Sequence, residues 1–529
     1  MMGDEATDTK KVIQLVVCLR WVDENLDAHD EFIELKKMAT TDAESIVEAL
    51  KEVLWDMSLQ LRKCCGQCYD GCSTMSGYKN GVAVKIKAEE IRALYTHCYC
   101  HSINLAVGDT MKNCPVLKDT IDNTYELTKL VKKSPKREAK LRDIQGPISK
   151  DEDNEDEEYE AMLRNPTIKL FCHTRWTVRA DCLKSVIANF KELQELWDWS
   201  LVNCSCSEMK GRIQGIKVHS RKFSFCFGIH LAEMILAHTD NLNRTLQGAQ
   251  MTANDAQAIS RACVATLQSL RDKKSFDLFW AKINTFANKH DIEQPQLQRR
   301  RKPTIKTMFG KAQPEHPEKI EDEYRRKYYT ALDTVIACIK DRFVQADFSM
   351  YATLEQLLVK AATNKPFDIE LKKVTDFYRD DFNSSTLKVQ LQTLPSLIKL
   401  RDENVTFYDI RKSIKELSRA LKCLINEVIK VLKLIIVMPA SNAVSERSFS
   451  GMRRLYTYLR TNMGDKRLNH LMVLHIHKTR LDNLSLLDVA NEFVSENDHR
   501  ETIFGKFNAL DLRRGSTVVK SVGVQVNFQ

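Results

Sequence analysis

The chain has 529 residues, 43% hydrophobic and 29% charged, with a formal net charge of +9. That balance suits a folded protein of two or more units, whose core is large enough to need neither disulfides nor metals. No apolar run reaches a bilayer's span and the opening residues MMGDEATDTKK lack a signal-peptide core, so an intracellular protein with no membrane partner and reduced cysteines is expected.

Residues 11–22, KVIQLVVCLRWV, are β-branched and apolar and read as a strand. EFIELKKM alternates more weakly after a polar turn, which predicts a hairpin. Over 43–62, Ile46, Ala49, Leu50, Val53, Leu54 and Met57 recur at helical spacing. A Gly-punctuated stretch follows, then a helix near 81–91, a strand in IRALYTHCYC and a helix start in SINLAVGDTMK. Strand, strand, helix, strand, helix, strand describes a mixed α/β sheet. From about 113 to 430 only helical periodicity remains, as in LKSVIANFKELQELWDW, and no fixed-period repeat suggests a solenoid. The acidic run 151–160 and the basic, proline-bearing segment 293–318 read as exposed loops. Pro439 stops a helix and SNAVSERSFSGMRRLYTYLR starts another. The apolar piece LNHLMVLHIHK follows, and the tail after Asn483 shows no readable pattern.

One stretch, CCGQCYDGCSTMSG, packs Cys64, Cys65, Cys68 and Cys72 around Asp70. By residue type it is either a metal knuckle or a turn in which the thiols are incidental. Taken singly, Asp70 is a turn or N-cap residue, and Glu446 is a dipole partner in a first helical turn. The basic blocks Lys132–Arg142 and Arg299, Arg300, Arg301 and Lys302 beside Pro303 are solvated loops on their simplest reading. The alternative is nuclear import or contact with a nucleic-acid backbone.

Together these stretches resemble the hAT superfamily of transposases (the hobo–Activator group) and its domesticated relatives, the zinc-finger MYM-type proteins. GQCYDGCSTMSG is similar to the family's GQGYDGAANMSG block, and SNAVSERSFSGMRRLYTYLR to its C-terminal dimerisation block. HCYCHSINLAV resembles the block with a Cys-x-x-His motif, here Cys98 and His101. CHTRWTVRADCLKSV resembles the Thr-Arg-Trp block, with Trp176, although His173 replaces the usual proline. DEATDTKK is similar to the block that carries the first catalytic acid. The resemblance spans residues 4 to 480, with the blocks in family order.

The resemblance implies an RNase H-like mixed-sheet core interrupted by a large all-α insertion. Residues 1–112 would form the first part of the core and 113–430 the insertion. Residues 431–482 would return to the core and the dimerisation region, and 483–529 would be a tail. The catalytic, metal-holding acids would be Asp4, Asp70 and Glu446, whose carboxylates suit Mg2+ or Mn2+ as hard cations. Two such ions can activate a water or 3′-hydroxyl and stabilise the leaving oxygen. DNA contacts would fall on Arg447, Arg453, Arg454, the 299–302 block and Trp176, which either stacks on a base or anchors the insertion's first helices. Phe449, Leu468, Leu471, Met472, Leu474 and Ile476 would support a homodimer or higher oligomer. Cys98 and His101 read as a hydrogen-bonding or packing pair. No structural zinc is expected, because the family shows Gly and Ala where this chain has Cys68 and Cys72.

Two departures shape the expectation. The family's N-terminal zinc finger is not in the sequence, and only MMG precedes Asp4, so the central first strand should be mostly missing and Asp4 poorly held. The expected protein is nuclear, self-associating and catalytically impaired, and it binds DNA non-specifically and in a salt-sensitive way. The alternatives are an active DDE-type transposase using two divalent metals, or a nuclear interaction protein that uses its helical insertion.

Overall fold

A computed structural model describes residues 1–146, 167–171, 178–248, 251–296, 319–345, 347–379, 381–398, 405–457 and 463–508. Its five strands are β1 Met2–Thr7, β2 Ile13–Val22, β3 Ala28–Met38, β4 Gly66–Tyr69 and β5 Leu94–His97. They form one sheet in the order β3-β2-β1-β4-β5. The first three are an antiparallel meander, and β4 and β5 join it parallel to β1. The first helices are α1 Ala43–Asp56, α2 Ser73–Ser76, α3 Val82–Glu89 and α4 Tyr99–Asn113.

The expected loss of the first strand is overturned. β1 pairs with β2 from Met2 to Thr7 and lies at the centre of the sheet, with Asp4 opposite Val16. The Met1 amino group donates to the Gly66 carbonyl at 2.8 Å, which ties the chain start to β4. Gly3, Asp4 and Glu5 break any apolar alternation, so β1 has no strand signature of its own. Its order comes from pairing with the strongly apolar β2, since β preference is mostly a matter of neighbours.

Alternate side chains of the sheet enter two cores. Leu15, Val17 and Tyr69 meet Ile46, Leu50, Val53, Val82 and Ile86 under α1 and α3. Val16, Cys18 and Cys68 face the opposite side, in a larger core that continues unbroken through α4 and the helical segment to Ile435 and Met472. Asp42 caps α1 by accepting the Ser45 amide at 3.0 Å. The helix stops at Asp56 and not near residue 62, because Ser58 adopts a left-handed φ of 55° and Leu61–Lys63 form a separate 3-10 turn.

Long helices fill the middle of the chain, the longest being the 24-residue Phe223–Leu246. Arg179 and Asp240 form an ion pair of 3.5 Å with side chains 7% and 0% exposed, and Asp240 also accepts the Ala180 amide at 2.9 Å. Three helices, Asn426–Val437, Ala443–Leu455 and Asp465–Ile476, then return to the sheet and pack on β1, β2 and β3. Asn469 covers the β3 edge, its side chain accepting from the Leu35 amide at 2.8 Å and donating to the Leu35 carbonyl at 3.0 Å. The tail, unread in the sequence, forms helices Leu486–Ser495 and Asp498–Phe504. The overlooked signal is Ser485, which accepts the Asp488 amide as an N-cap. Among the described residues no helix is long and apolar enough to cross a membrane.

Candidate functional site: an acid cluster between sheet and C-terminal helix

Three distant segments meet at β1 and β4. Asp4 lies within β1, Asp70 directly follows β4, and Glu446 sits in the first turn of Ala443–Leu455. Asn442, at the N-cap of that helix, donates from its side chain to the Gly3 carbonyl at 2.8 Å. The Tyr99 amide donates to the Ala440 carbonyl at 3.1 Å, so α4 and the C-terminal helix are fixed to each other. Asp4 Oδ1 accepts the Glu5 amide at 3.0 Å and Asp70 Oδ1 accepts the Cys72 amide at 3.2 Å.

The acids feel one another. Burial, reinforced by the Asp70 charge, pushes Asp4 up to about 7, and the same two causes in the same order push Glu5 up to about 7. Burial pushes Glu446 up to about 9, with Cys98, Asp4 and Asp70 adding to it and Arg447 opposing it. Crowded, part-desolvated carboxylates hold their protons in this way. Glu5 and Asn442 are the site residues that sequence reading missed. Asn442 was within reach, as an Asn at the head of a helix that follows Pro439.

Gly71 is required beside Asp70: a Cβ there would stand 2.5 Å from the His97 ring. His97 Nε2 is buried with no hydrogen-bond partner among the described residues, and burial holds the ring's pKa below the usual histidine value.

The quoted cysteines separate. Cys64 packs on the α1 side of the sheet and Cys65 and Cys68 on the α4 side, while Cys72 is exposed. The fold instead gathers Cys68, Cys98 and Cys100, all buried. Burial opposes ionisation of Cys98, but hydrogen bonds from Cys100 and Cys68 and from the Asn442 amide at 3.2 Å outweigh it and draw its pKa below the usual thiol value. Cys68 and Cys100 are pushed up in turn. His101 stacks obliquely on His97, with ring centroids 5.8 Å apart.

Carboxylate oxygens at Asp4, Asp70 and Glu446 are the donor type a hard divalent cation takes, and burial first, then neighbouring charge, raises the pKa values of Asp4 and Glu446. Among the described residues no three His, Cys, Asp or Glu side chains stand in ready metal-holding geometry. A cation there would have to displace protons and draw the carboxylates inward.

Arg447, Arg453 and Arg454 are exposed on the helix that carries Glu446. Arg453 follows Glu446 by seven residues and shares its face, about 10 Å along the axis. Arg447 and Arg454 line a polar groove of about 620 Å³ against β3, with His29, His475 and Arg480. Trp176, Arg299, Arg300, Arg301 and Lys302 lie outside the described residues. The expected dimer face divides. Phe449, Leu468 and Met472 are buried in this chain's own core, where Ala443–Leu455 packs against Asp465–Ile476. Leu474 is 44% exposed, and Leu471 and Ile476 are half-buried.

A meander followed by two parallel strands, with acids on β1, after β4 and on a returning C-terminal helix, defines an RNase-like α/β core. Residues 1–81 match the family model described as ZMYM1/FAM200, RNase-like domain, and residues 416–478 match the hAT family C-terminal dimerisation region. Both matches are consistent with a hAT-derived origin of the ZMYM-like kind, and the second supports self-association.

Asn442 is the joint of the site. Asn442→Leu should leave the buried Gly3 carbonyl without its donor and lower stability by about 1–3 kcal/mol. A melting temperature equal to wild type would show that the helix is held by other contacts.

Proposed function

We propose that this protein is a nuclear, self-associating DNA-binding protein of transposase origin that cleaves DNA poorly or not at all. The observation that carries the reading is one helix, Ala443–Leu455, which bears Glu446 toward the acid cluster and Arg447, Arg453 and Arg454 toward solvent. Such arginines suit phosphates, and binding carried by phosphate contacts is non-specific and steeply weakened by salt. Burial raises the pKa of Glu446, so a cation would have to compete with its proton. The basic 299–302 block adds DNA charge contact and a short import signal.

If Mg2+ or Mn2+ binds, Asp4, Asp70 and Glu446 would hold it, and it would supply charge stabilisation to phosphoryl transfer. The protein's own part would be to position the phosphate by Arg453 and to keep the three acids in one place. An active DDE-type enzyme remains the second reading, favoured by β1, which seats Asp4 firmly in the centre of the sheet.

Replacing Arg447 and Arg454 together by alanine should weaken duplex binding and lower the salt slope by about 1 for each phosphate no longer neutralised. Fluorescence anisotropy across a salt series measures this, and an unchanged slope would remove the groove from the DNA surface. Incubating wild-type protein with labelled inverted-repeat DNA and Mg2+ or Mn2+ tests the impairment. Cleavage that vanishes in Asp70→Asn and Glu446→Gln would make it an enzyme.

A further inference from the structure

An apolar groove adjoins the charged one and shares Glu31, His477 and Arg480 with it. It encloses about 1000 Å³ between the β2–β3 end of the sheet, the end of α1, and helices Asn426–Val437 and Asp465–Ile476. Trp21, Ile33, Met57, Leu434, Val437 and Val473 form much of its wall. Trp21 is 45%, Met57 49% and Val473 38% exposed, so water now covers a surface that ought to be covered by protein. Lys63 and Lys433 stand on its rim, together with Lys430, which pairs with Glu427 at 2.7 Å, and with the acids Glu31 and Asp381.

The same chain carries a shape that fits. Helices Leu486–Ser495 and Asp498–Phe504 form a hairpin held mainly by itself. Phe493 and Phe504 rings lie 6.4 Å apart, the Arg500 guanidinium is 4.2 Å from the Phe493 ring centre, and Asn491 exchanges hydrogen bonds with the Phe507 backbone at 2.8 and 3.1 Å. Its buried apolar residue, Val494, belongs to neither core cluster. Leu486, Val489 and Phe493 recur at positions i, i+3 and i+7 and are 71%, 47% and 49% exposed, forming an exposed apolar stripe. Between Leu484 and Gly505 the hairpin carries five carboxylates, Asp488, Glu492, Glu496, Asp498 and Glu501, against one arginine, Arg500. An acidic, amphipathic helix and an apolar groove with lysines on its rim are complementary in both respects.

We propose that this hairpin is an exchange arm: its Leu486–Val489–Phe493 face docks into the Trp21–Val473 groove of a second copy, and that copy's arm docks in return. Two observations favour a second copy as the occupant. The groove walls from Lys430 to Val473 fall inside residues 416–478, the segment that matches a dimerisation region, so the docking surface continues an interface-forming part of the chain. Reciprocal exchange also covers both exposed surfaces at once, as a two-fold assembly requires. The proposal deepens the self-association reading and rests on it.

The test uses the full chain. Light scattering after size exclusion should find wild type dimeric or larger. Leu486→Asp with Val489→Asp on the arm, or Val473→Asp in the groove, should each weaken association at least tenfold. All three residues are exposed, so the far-ultraviolet spectrum and melting temperature should hold. A photo-crosslinker at Val489, in a mixture of isotopically light and heavy copies, should yield groove peptides joined across the two labels. Wild type that is monomeric would overturn the exchange and self-association together. Dimers unaffected by all of these variants would overturn the exchange alone, as would crosslinks confined to one label, which would place the arm in its own groove.

Discussion

Asp240→Ala should be among the most destabilising single changes in the helical segment, lowering unfolding free energy by about 3–5 kcal/mol. The carboxylate is fully buried, pairs with Arg179 at 3.5 Å and accepts the Ala180 amide at 2.9 Å. Removing it leaves a guanidinium 7% exposed with its charge uncompensated, and an amide at the start of helix Arg179–Ala188 without its acceptor. The pair is not itself a large source of stability, because both charges were desolvated to make it. Replacing both residues with apolar side chains of similar size, Arg179→Met with Asp240→Leu, should therefore recover most of the loss. Denaturant unfolding of the single and double variants measures this. A single variant within about 0.5 kcal/mol of wild type, the usual range for surface substitutions, would show that the pair is solvated in solution.

The second large effect is on pH dependence. Glu446 is raised from an ordinary carboxylate value to about 9 and Asp4 to about 7, so the folded state binds protons the unfolded chain releases. Their contribution to stability is therefore fully present below pH about 4 and is lost as pH rises through 7 and then 9. A pKa raised by one unit is worth about 1.4 kcal/mol, so even a fraction of the rise at Glu446 is measurable. Melting temperature of the metal-free protein should fall between pH 5 and 9. The fall should be shallower in Glu446→Gln and Asp4→Asn, and those variants should be more stable than wild type at pH 8. Adding Mg2+ or Mn2+ at pH 8 should raise the wild-type melting temperature and leave Glu446→Gln nearly unchanged. Parallel pH curves for the three proteins would mean that the carboxyls are not crowded as described.

Much of this could be read from the chain itself. Leu15, Val16, Val17 and Cys18 announce a strand buried on both faces, and the Ile46–Leu54 spacing announces α1, because burial on one stripe or two faces leaves a periodic mark. The segments carrying Asp70 and Glu446 were legible too, through the blocks around them. What the sequence could not show was β1. Its residues Gly3, Asp4 and Glu5 are chosen for what they place at the site, and its order comes from hydrogen bonds to β2 and β4 many residues away. For the same reason the sequence could not show that Cys68 meets Cys98 and Cys100: Cys68 lies in β4, while Cys64 precedes the strand and packs on the other face of the sheet. Apolar content likewise marked Phe449, Leu468 and Met472 for burial, and packing sets them in the chain's own core. Local pattern fixes which residues are buried and in what kind of element. The partners across the sheet, the raised carboxyls of Asp4, Glu5 and Glu446, and the open groove arise from contacts between distant segments, and no periodicity records those.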